Sequence, residues 1–219
     1  MMHCRMLWTG WLAAGGAFSA WCAQAATVQV DVADDAGRPV PGAVVSLESP
    51  AARAQVRPLP KAEVAQEKKQ FLPEVLVVPV GTQVHFPNRD SVRHHVYSFS
   101  PAKKFELKLY TGTPANPVLF DQPGVVSLGC NIHDRMVGWI LVVDTPYYAQ
   151  VPEENSGEAG AASASRPGRA LLQSVPPGNY KLRVWHPRLA PGAAAHEQAL
   201  VVPSTGNAQA VVKMAGLAP

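Results

Sequence analysis

Short segments in which apolar and polar residues alternate recur along this 219-residue chain, and turn-forming residues separate them. Residues 27–34, TVQVDVAD, place Val at every second position, which is the period of a half-buried β-strand. The chain also contains 21 Pro and 17 Gly, which interrupt helices and favour turns. Short strands divided by such turns are typical of a β-sandwich. We therefore predict an all-β fold.

The middle of the chain contains the densest series of predicted strands. They cover residues 74–80, 82–86, 94–99, 104–110, 118–120, 124–129 and 137–143. Val84 and Phe86 are expected to point inward. In the fourth of these strands, Phe105, Leu107 and Leu109 alternate and are expected to share one face.

The N-terminal residues carry the pattern of a secretory signal peptide. Arg5 is followed by an apolar run from Met6 to about Ala20, and residues 23–25 form a small-x-small cleavage site. The run is shorter than the roughly 20 residues that a membrane-spanning helix needs, so cleavage is favoured over an anchor. We predict a signal peptide over residues 1–25, cleaved near Ala25, and an exported, periplasmic chain without a membrane span.

The charge and the cysteine content exclude two further classes of protein. Nineteen Lys and Arg stand against sixteen Asp and Glu, and the net charge of +3 gives no electrostatic case for nucleic-acid binding. Of the three cysteines, only Cys130 lies beyond the predicted signal peptide. No disulfide is then expected within the exported chain, so a packed core must stabilise the fold.

Cys130 is the first of three potential metal ligands in one short segment. In SLGCNIHDRM, residues 127–136, Cys130, His133 and Met136 follow one another at intervals of three residues. A lone cysteine is most often a buried, inert thiol. Here, however, a thiolate, an imidazole and a thioether lie within seven residues, and this combination of soft and borderline ligands favours copper.

A second imidazole is expected from one of two adjacent histidines. A blue-copper site combines two His and one Cys with a weak axial Met, and the upstream segment PNRDSVRHHVYSFS offers His94 and His95. Consecutive side chains of a strand point to opposite faces, so only one of the two reaches the metal unless the strand is bulged. A tetrahedral structural zinc site would not ordinarily use Met. One mononuclear Cu(I)/Cu(II) ion per chain is therefore the predicted cofactor.

Two segments resemble cupredoxins of the plastocyanin and amicyanin type. FLPEVLVVPVGTQVHFPNRDSVRHHVYSF resembles the first half of that Greek-key β-sandwich, and GVVSLGCNIHDRMVGWILVV resembles its ligand loop. The family's H-x-V pattern matches residues 94–96 with His94 as the ligand and His95 as the alternative. The resemblance covers roughly residues 62–144 and implies the metal ligands His94, Cys130, His133 and Met136. Over the whole length expected after cleavage, the chain is similar to bacterial proteins labelled plastocyanin-like or methylamine utilization proteins.

The flanking segments resemble a second family. VQVDVADDAGRPVPGAVVSLES resembles the opening of a carboxypeptidase regulatory-like domain, a small immunoglobulin-like β-sandwich, and RALLQSVPPGNYKLRVW resembles its closing half. Neither half alone has enough strands for a stable sandwich. The predicted organisation is a discontinuous domain over residues 26–49 plus 168–215, a linker over 50–61, an inserted cupredoxin domain over 62–145, and a flexible loop over 150–168.

The cupredoxin resemblance implies a one-electron carrier rather than an enzyme. Its partner is expected to be a redox protein, a cytochrome or a dehydrogenase, that docks where His133 approaches solvent beside Ile132 and Val137. The chain contains no phosphate-binding Gly-rich loop and no nucleophile elbow. Two other hypotheses remain at this point: a copper-binding or delivery protein whose metal is cargo, and an adhesion or assembly module that has kept a cupredoxin frame.

Overall fold

The computed structural model describes residues 25–153 and 167–218. The predicted signal peptide and most of the predicted flexible loop lie outside these residues. Within the described part, the chain forms β-strands and one short helix, so the all-β prediction is confirmed. No helix in the described part is both long and apolar enough to cross a membrane.

The strands follow one another at short intervals. In the first half of the chain they are β1 (Ala26–Asp34), β2 (Val44–Glu48), β3 (Ala62–Glu63), β4 (Ala65–Glu67), β5 (Gln70–Leu72), β6 (Val75–Pro79), β7 (Thr82–His85), β8 (His94–Ser100) and β9 (Lys103–Tyr110). In the second half they are β10 (Val118–Phe120), β11 (Gly124–Cys130), β12 (Val137–Val143), β13 (Tyr148–Gln150), β14 (Arg169–Val175), β15 (Gly178–Trp185), β16 (His196–Val202) and β17 (Ala208–Met214).

The observed strands of the middle segment agree with the predicted ones to within one residue at each end. Two features differ. The helix α1 (Pro50–Arg53) lies in the predicted linker, where the Ser49 hydroxyl accepts a hydrogen bond from the Ala52 N–H and caps the helix. Strands β3 to β5 were not predicted, because two or three residues are too short to display a period and depend on their pairing partners.

Strands from both ends of the described chain form one sandwich, here called the flanking sandwich. One sheet has the order β14-β1-β17 and the other the order β13-β2-β15-β16. β1 pairs antiparallel with β14 and parallel with β17, while β2 pairs with β15. Val28, Val30 and Val32 are buried in its core, as their alternation predicted.

The segment between them forms a second sandwich, here called the central sandwich. Its five-stranded sheet has the order β6-β12-β11-β8-β9 and faces a three-stranded sheet of order β10-β7-β3, while β4 and β5 form a hairpin. The core between the sheets contains Phe86, Phe120, Val96 and Ile140. Val84 and Phe86 point inward as predicted.

The predicted position of Leu109 is wrong. Opposite β8, the register shifts so that His94 faces Tyr110 while Val96 faces Leu107, which leaves one extra residue in β9. Such a β-bulge reverses the alternation beyond it. Leu109 is consequently 45% exposed, and Tyr110 turns inward, where its hydroxyl donates to Gln66 Oε1 at 2.7 Å.

His186 is a buried histidine of the flanking sandwich with both ring nitrogens bonded. Nε2 lies 3.0 Å from the Pro41 carbonyl oxygen, and the Arg188 N–H donates to Nδ1 at 3.0 Å. This pattern requires a neutral ring that carries its proton on Nε2. Desolvation lowers the pKa of His186, against the hydrogen bond to Pro41, and the charge of Arg188 lowers it further.

We expect the protein to lose stability through His186 as the pH falls. The folded-state pKa of His186 lies below the ordinary 6.5. The contribution of the neutral His186 ring to the free energy of unfolding is therefore complete above pH 6.5 and is lost as the pH falls through the folded-state pKa. Urea unfolding of the metal-free protein between about pH 7 and about pH 5 should therefore show a shallower pH dependence for His186→Gln. His196→Gln, on strand β16, is the control and should keep the wild-type slope. Equal slopes for all three proteins would contradict the expectation.

Candidate metal centre

Strand β8 brings His94 into the interior of the central sandwich. The extra residue of the bulge lies in β9, so side chains along β8 alternate without interruption. His94 is fully buried on the core side with Val96. His95 lies on the opposite side, where its Nε2 is 2.9 Å from Glu106 Oε1 in a contact whose angle does not suit a hydrogen bond. The two adjacent imidazoles therefore face different environments.

The loop between β11 and β12 brings three further side chains together. Cys130 ends β11, the His133 N–H donates to the Cys130 carbonyl at 3.4 Å, and the Met136 N–H donates to the His133 carbonyl at 2.9 Å. These two successive turns fold the loop back over the end of the sandwich. Cys130 and Met136 are both buried in the central core, while His133 remains partly exposed.

Three donor atoms converge at this end of the sandwich. Cys130 Sγ lies 3.7 Å from His94 Nδ1 and 3.8 Å from His133 Nδ1. The two imidazole rings are tilted by 52°, with centroids 5.0 Å apart. His94, Cys130 and His133 thus form a group whose ligand atoms all lie within 4.8 Å of one another.

The spacing of these atoms fits one bound metal ion. Donors that share an ion at about 2.0–2.3 Å are roughly 3.5–4 Å apart, which is the separation of the sulfur from each Nδ1. Two imidazoles and one thiolate are the in-plane donors of a mononuclear blue-copper site. The site therefore fits the predicted copper cofactor, and of the two candidate imidazoles His94 belongs to the group and His95 does not.

Asp90 determines which nitrogen of His94 faces the sulfur. Its Oδ2 lies 2.8 Å from His94 Nε2. Because an ionised carboxylate only accepts hydrogen bonds, Nε2 carries a proton, and in the neutral ring the lone pair is then on Nδ1, which faces Cys130. The ring is thereby held in the tautomer that binds a metal through Nδ1.

Asp90 is itself held by the β4–β5 hairpin. The backbone N–H groups of Lys68 and Lys69 donate to its carboxylate at 2.7 and 2.9 Å. Desolvation raises the pKa of Asp90, but the hydrogen bonds from Lys69, His94 and Lys68 outweigh it and lower the pKa below its ordinary value. Sequence analysis did not single out Asp90, although its place four positions before His94, in the segment Asn88-Arg89-Asp90 that precedes the predicted ligand, was a usable signal.

Replacing Asp90 by Asn is expected to weaken copper binding by about 10- to 100-fold, the usual effect of losing a partner that orients a metal ligand. The amide can present its NH₂ group to His94 and so no longer selects the Nε2–H tautomer. Competition with a copper chelator would measure the change. Asp121→Asn is the matched control, because Asp121 forms an exposed ion pair with Lys103 away from the site. Equal affinities of the two variants would rule out a positioning role for Asp90.

Comparisons with known proteins give a partial picture. No family model matches the chain, and no curated protein is significantly similar to it. A purple cupredoxin from Nitrosopumilus maritimus is 27% identical over 38% of this chain and 100% of its own, with a TM-score of 0.32. A reduced amicyanin variant is 25% identical over 45% of this chain and 98% of its own, with a TM-score of 0.34.

A copper-containing nitrite reductase from Thermus scotoductus SA-01 is also similar. It is 26% identical over 42% of this chain, with a TM-score of 0.36, and the match spans only 26% of the reductase. These similarities cover less than half of the chain. The chemistry of the site is therefore inferred from its own residues.

Proposed function

We propose that the protein is an exported type 1 copper protein that carries one electron between redox partners and is not an enzyme. The observation that carries this proposal is the convergence of Cys130 Sγ with one Nδ1 from each of His94 and His133 in a largely buried site. Copper bound there would supply a Cu(I)/Cu(II) couple.

The side chains of the site have distinct roles in this proposal. Cys130 provides the thiolate, His94 provides an imidazole whose orientation Asp90 determines, and His133 provides the second imidazole. Met136, whose side chain is buried in the central core, is proposed as a further, weaker ligand that would hold the metal through its thioether. Strands β11 and β12 anchor the two ends of the loop. Its donor atoms would therefore move little when the site gains or loses an electron.

We propose the end of the sandwich around His133 as the docking site of a cytochrome or a dehydrogenase. His133 is partly exposed, and its neighbours Ile132 and Val137 are 46% and 47% exposed. Transient redox complexes bury less than about 1,200 Å² in total, so a small apolar patch suffices. No role in nucleic-acid binding is proposed, since the net charge is only +3.

Export and domain organisation are part of the same proposal. We propose cleavage near Ala25, a cupredoxin domain over residues 62–145, and a discontinuous carboxypeptidase regulatory-like domain over residues 26–49 plus 168–215. The pairing of β1 with β14 and β17, and of β2 with β15, supports the discontinuous domain.

The test is to titrate the purified protein with Cu(II) and to record its visible spectrum and its voltammogram. We expect intense thiolate-to-copper absorption and a reversible one-electron couple. A colourless protein that binds only Cu(I) and shows no reversible couple would instead indicate metal delivery. The burial of His94 and Cys130 favours a retained ion over a delivered one.

A further inference from the structure

The outer face of the five-stranded sheet is covered on one half only. Trp139 and Leu141 of β12 pack against Trp185 and Val44 of the flanking sandwich, together with Val75 of β6. Over the other half, which strands β8 and β9 form, no further strand or helix of the described residues packs on the sheet, although His95 itself is only 8% exposed.

The uncovered half carries a row of aromatic rings along β8. The His95 and Tyr97 rings meet edge to face with centroids 5.9 Å apart, and Tyr97 and Phe99 lie 5.2 Å apart. Phe99 ends this row and is 78% exposed, more than any other large apolar side chain of the described residues. Aromatic side chains exposed in this way are characteristic of interaction sites.

The aromatic row touches the main chain beside the metal centre. Tyr97 pairs with Gly129 across β8 and β11, and a Cβ placed on Gly129 would lie 2.7 Å from Tyr97 Cζ. Only glycine therefore allows the ring to lie against the backbone at this position. Gly129 is bonded directly to Cys130, so the path from Phe99 to the sulfur consists of two ring contacts, one peptide unit and the Cys130 side chain.

Lysine side chains border the aromatic row. Lys104 stands opposite Phe99 in the β8–β9 pairing, and Lys108 lies on the same side of β9; both are exposed. Glu106, between them, is at ion-pairing distance from His95. With two lysines and one glutamate, the border carries a net positive charge, which complements an acidic surface.

We propose that the β8–β9 face, formed by Tyr97, Phe99 and Lys104, is a second docking surface, for an acidic one-electron redox protein. One electron passes between the partner's cofactor and the metal centre through Tyr97, Gly129 and Cys130; no covalent bond forms or breaks, and the partner is oxidised as the centre is reduced, or the reverse. The inference rests on the proposed function.

Binding is tested on the metal-free protein with hexacyanochromate(III), a paramagnetic anion that represents the acidic partner. We expect the NMR signals of Tyr97, Phe99 and Lys104 to broaden, and Lys104→Glu to reduce this broadening several-fold, since one cationic contact becomes repulsive. Broadening confined to residues around His133 would overturn the docking surface.

Electron exchange is tested by oxidising the Cu(I) form with hexacyanoferrate(III) in an Ile132→Glu background, which repels the anion from the His133 end. Phe99→Glu is expected to slow the residual reaction about ten-fold at low ionic strength, because the added carboxylate repels the anion from the second surface. Val201→Glu, at a position 66% exposed in the flanking sandwich, makes the same charge change and should leave the rate nearly unchanged.

Tyr97→Leu, in the same background, tests the path itself. It should slow the reaction while the visible spectrum and the reduction potential stay at their parent values. Unchanged rates in Phe99→Glu and Tyr97→Leu proteins that remain blue would overturn this inference and leave the proposed function intact. A parent protein without the visible band or a reversible couple would overturn both.

Discussion

Replacing Cys130 by Ser is expected to abolish the intense visible absorption of the copper-loaded protein. The band arises from thiolate-to-copper charge transfer, and Cys130 provides the thiolate of the donor group formed with His94 and His133. Copper affinity should also fall by more than about 100-fold. Losing a residue that only hydrogen-bonds to a ligand costs up to about 100-fold, and losing a ligand should cost more. Visible spectroscopy and chelator competition measure the two effects.

Ser127→Ala is the matched control for this experiment. Ser127 lies on the same strand as Cys130, but its side chain is exposed on the outer face, away from the donor group. The control should keep both the absorption and the affinity of the parent protein. A blue Cys130→Ser protein would mean that another donor holds the metal.

Replacing Val30 by Asp is expected to destabilise the flanking sandwich by about 4 kcal/mol, because a buried charge is left without a partner. Val30 is fully buried in β1, between β14 and β17, and its side chain lies in the core that both sheets share. Urea unfolding of the metal-free protein, followed by circular dichroism, measures the loss.

Val201→Asp introduces the same side chain at a position that is 66% exposed on β16. Its effect should remain within about 0.5 kcal/mol, as for most surface substitutions. Comparable effects of the two substitutions would contradict the placement of β1 at the centre of its sheet.

Much of the local structure follows from the sequence because it depends on short-range chemistry. The strand bounds of the middle segment follow from the alternation of side chains, and the spacing of Cys130, His133 and Met136 predicts a turn that gathers donor atoms. The preference for His94 over His95 follows from the resemblance, and alternation requires that the two face opposite sides of β8. In the structure, His94 is the one that lies in the donor group.

Other features depend on partners far away in the chain. The bulge that exposes Leu109 arises only from the pairing of β8 with β9. The residue pattern of β9 alone does not predict it. The contact of Tyr97 with Gly129 likewise joins two strands. The hydrogen bonds from the Lys68 and Lys69 N–H groups to Asp90 join a hairpin to a loop that is distant in sequence.

The sequence by itself determined the fold class, the residue types that can bind the metal and their order along the chain, since these depend on residue type and local period. Only the tertiary structure decided how Asp90 orients His94, which half of the sheet face stays uncovered, and how Phe99 connects to Cys130. The physical reason is that side-chain alternation repeats within each strand, whereas cross-strand register and the packing of one sandwich on another arise from contacts between residues distant in sequence.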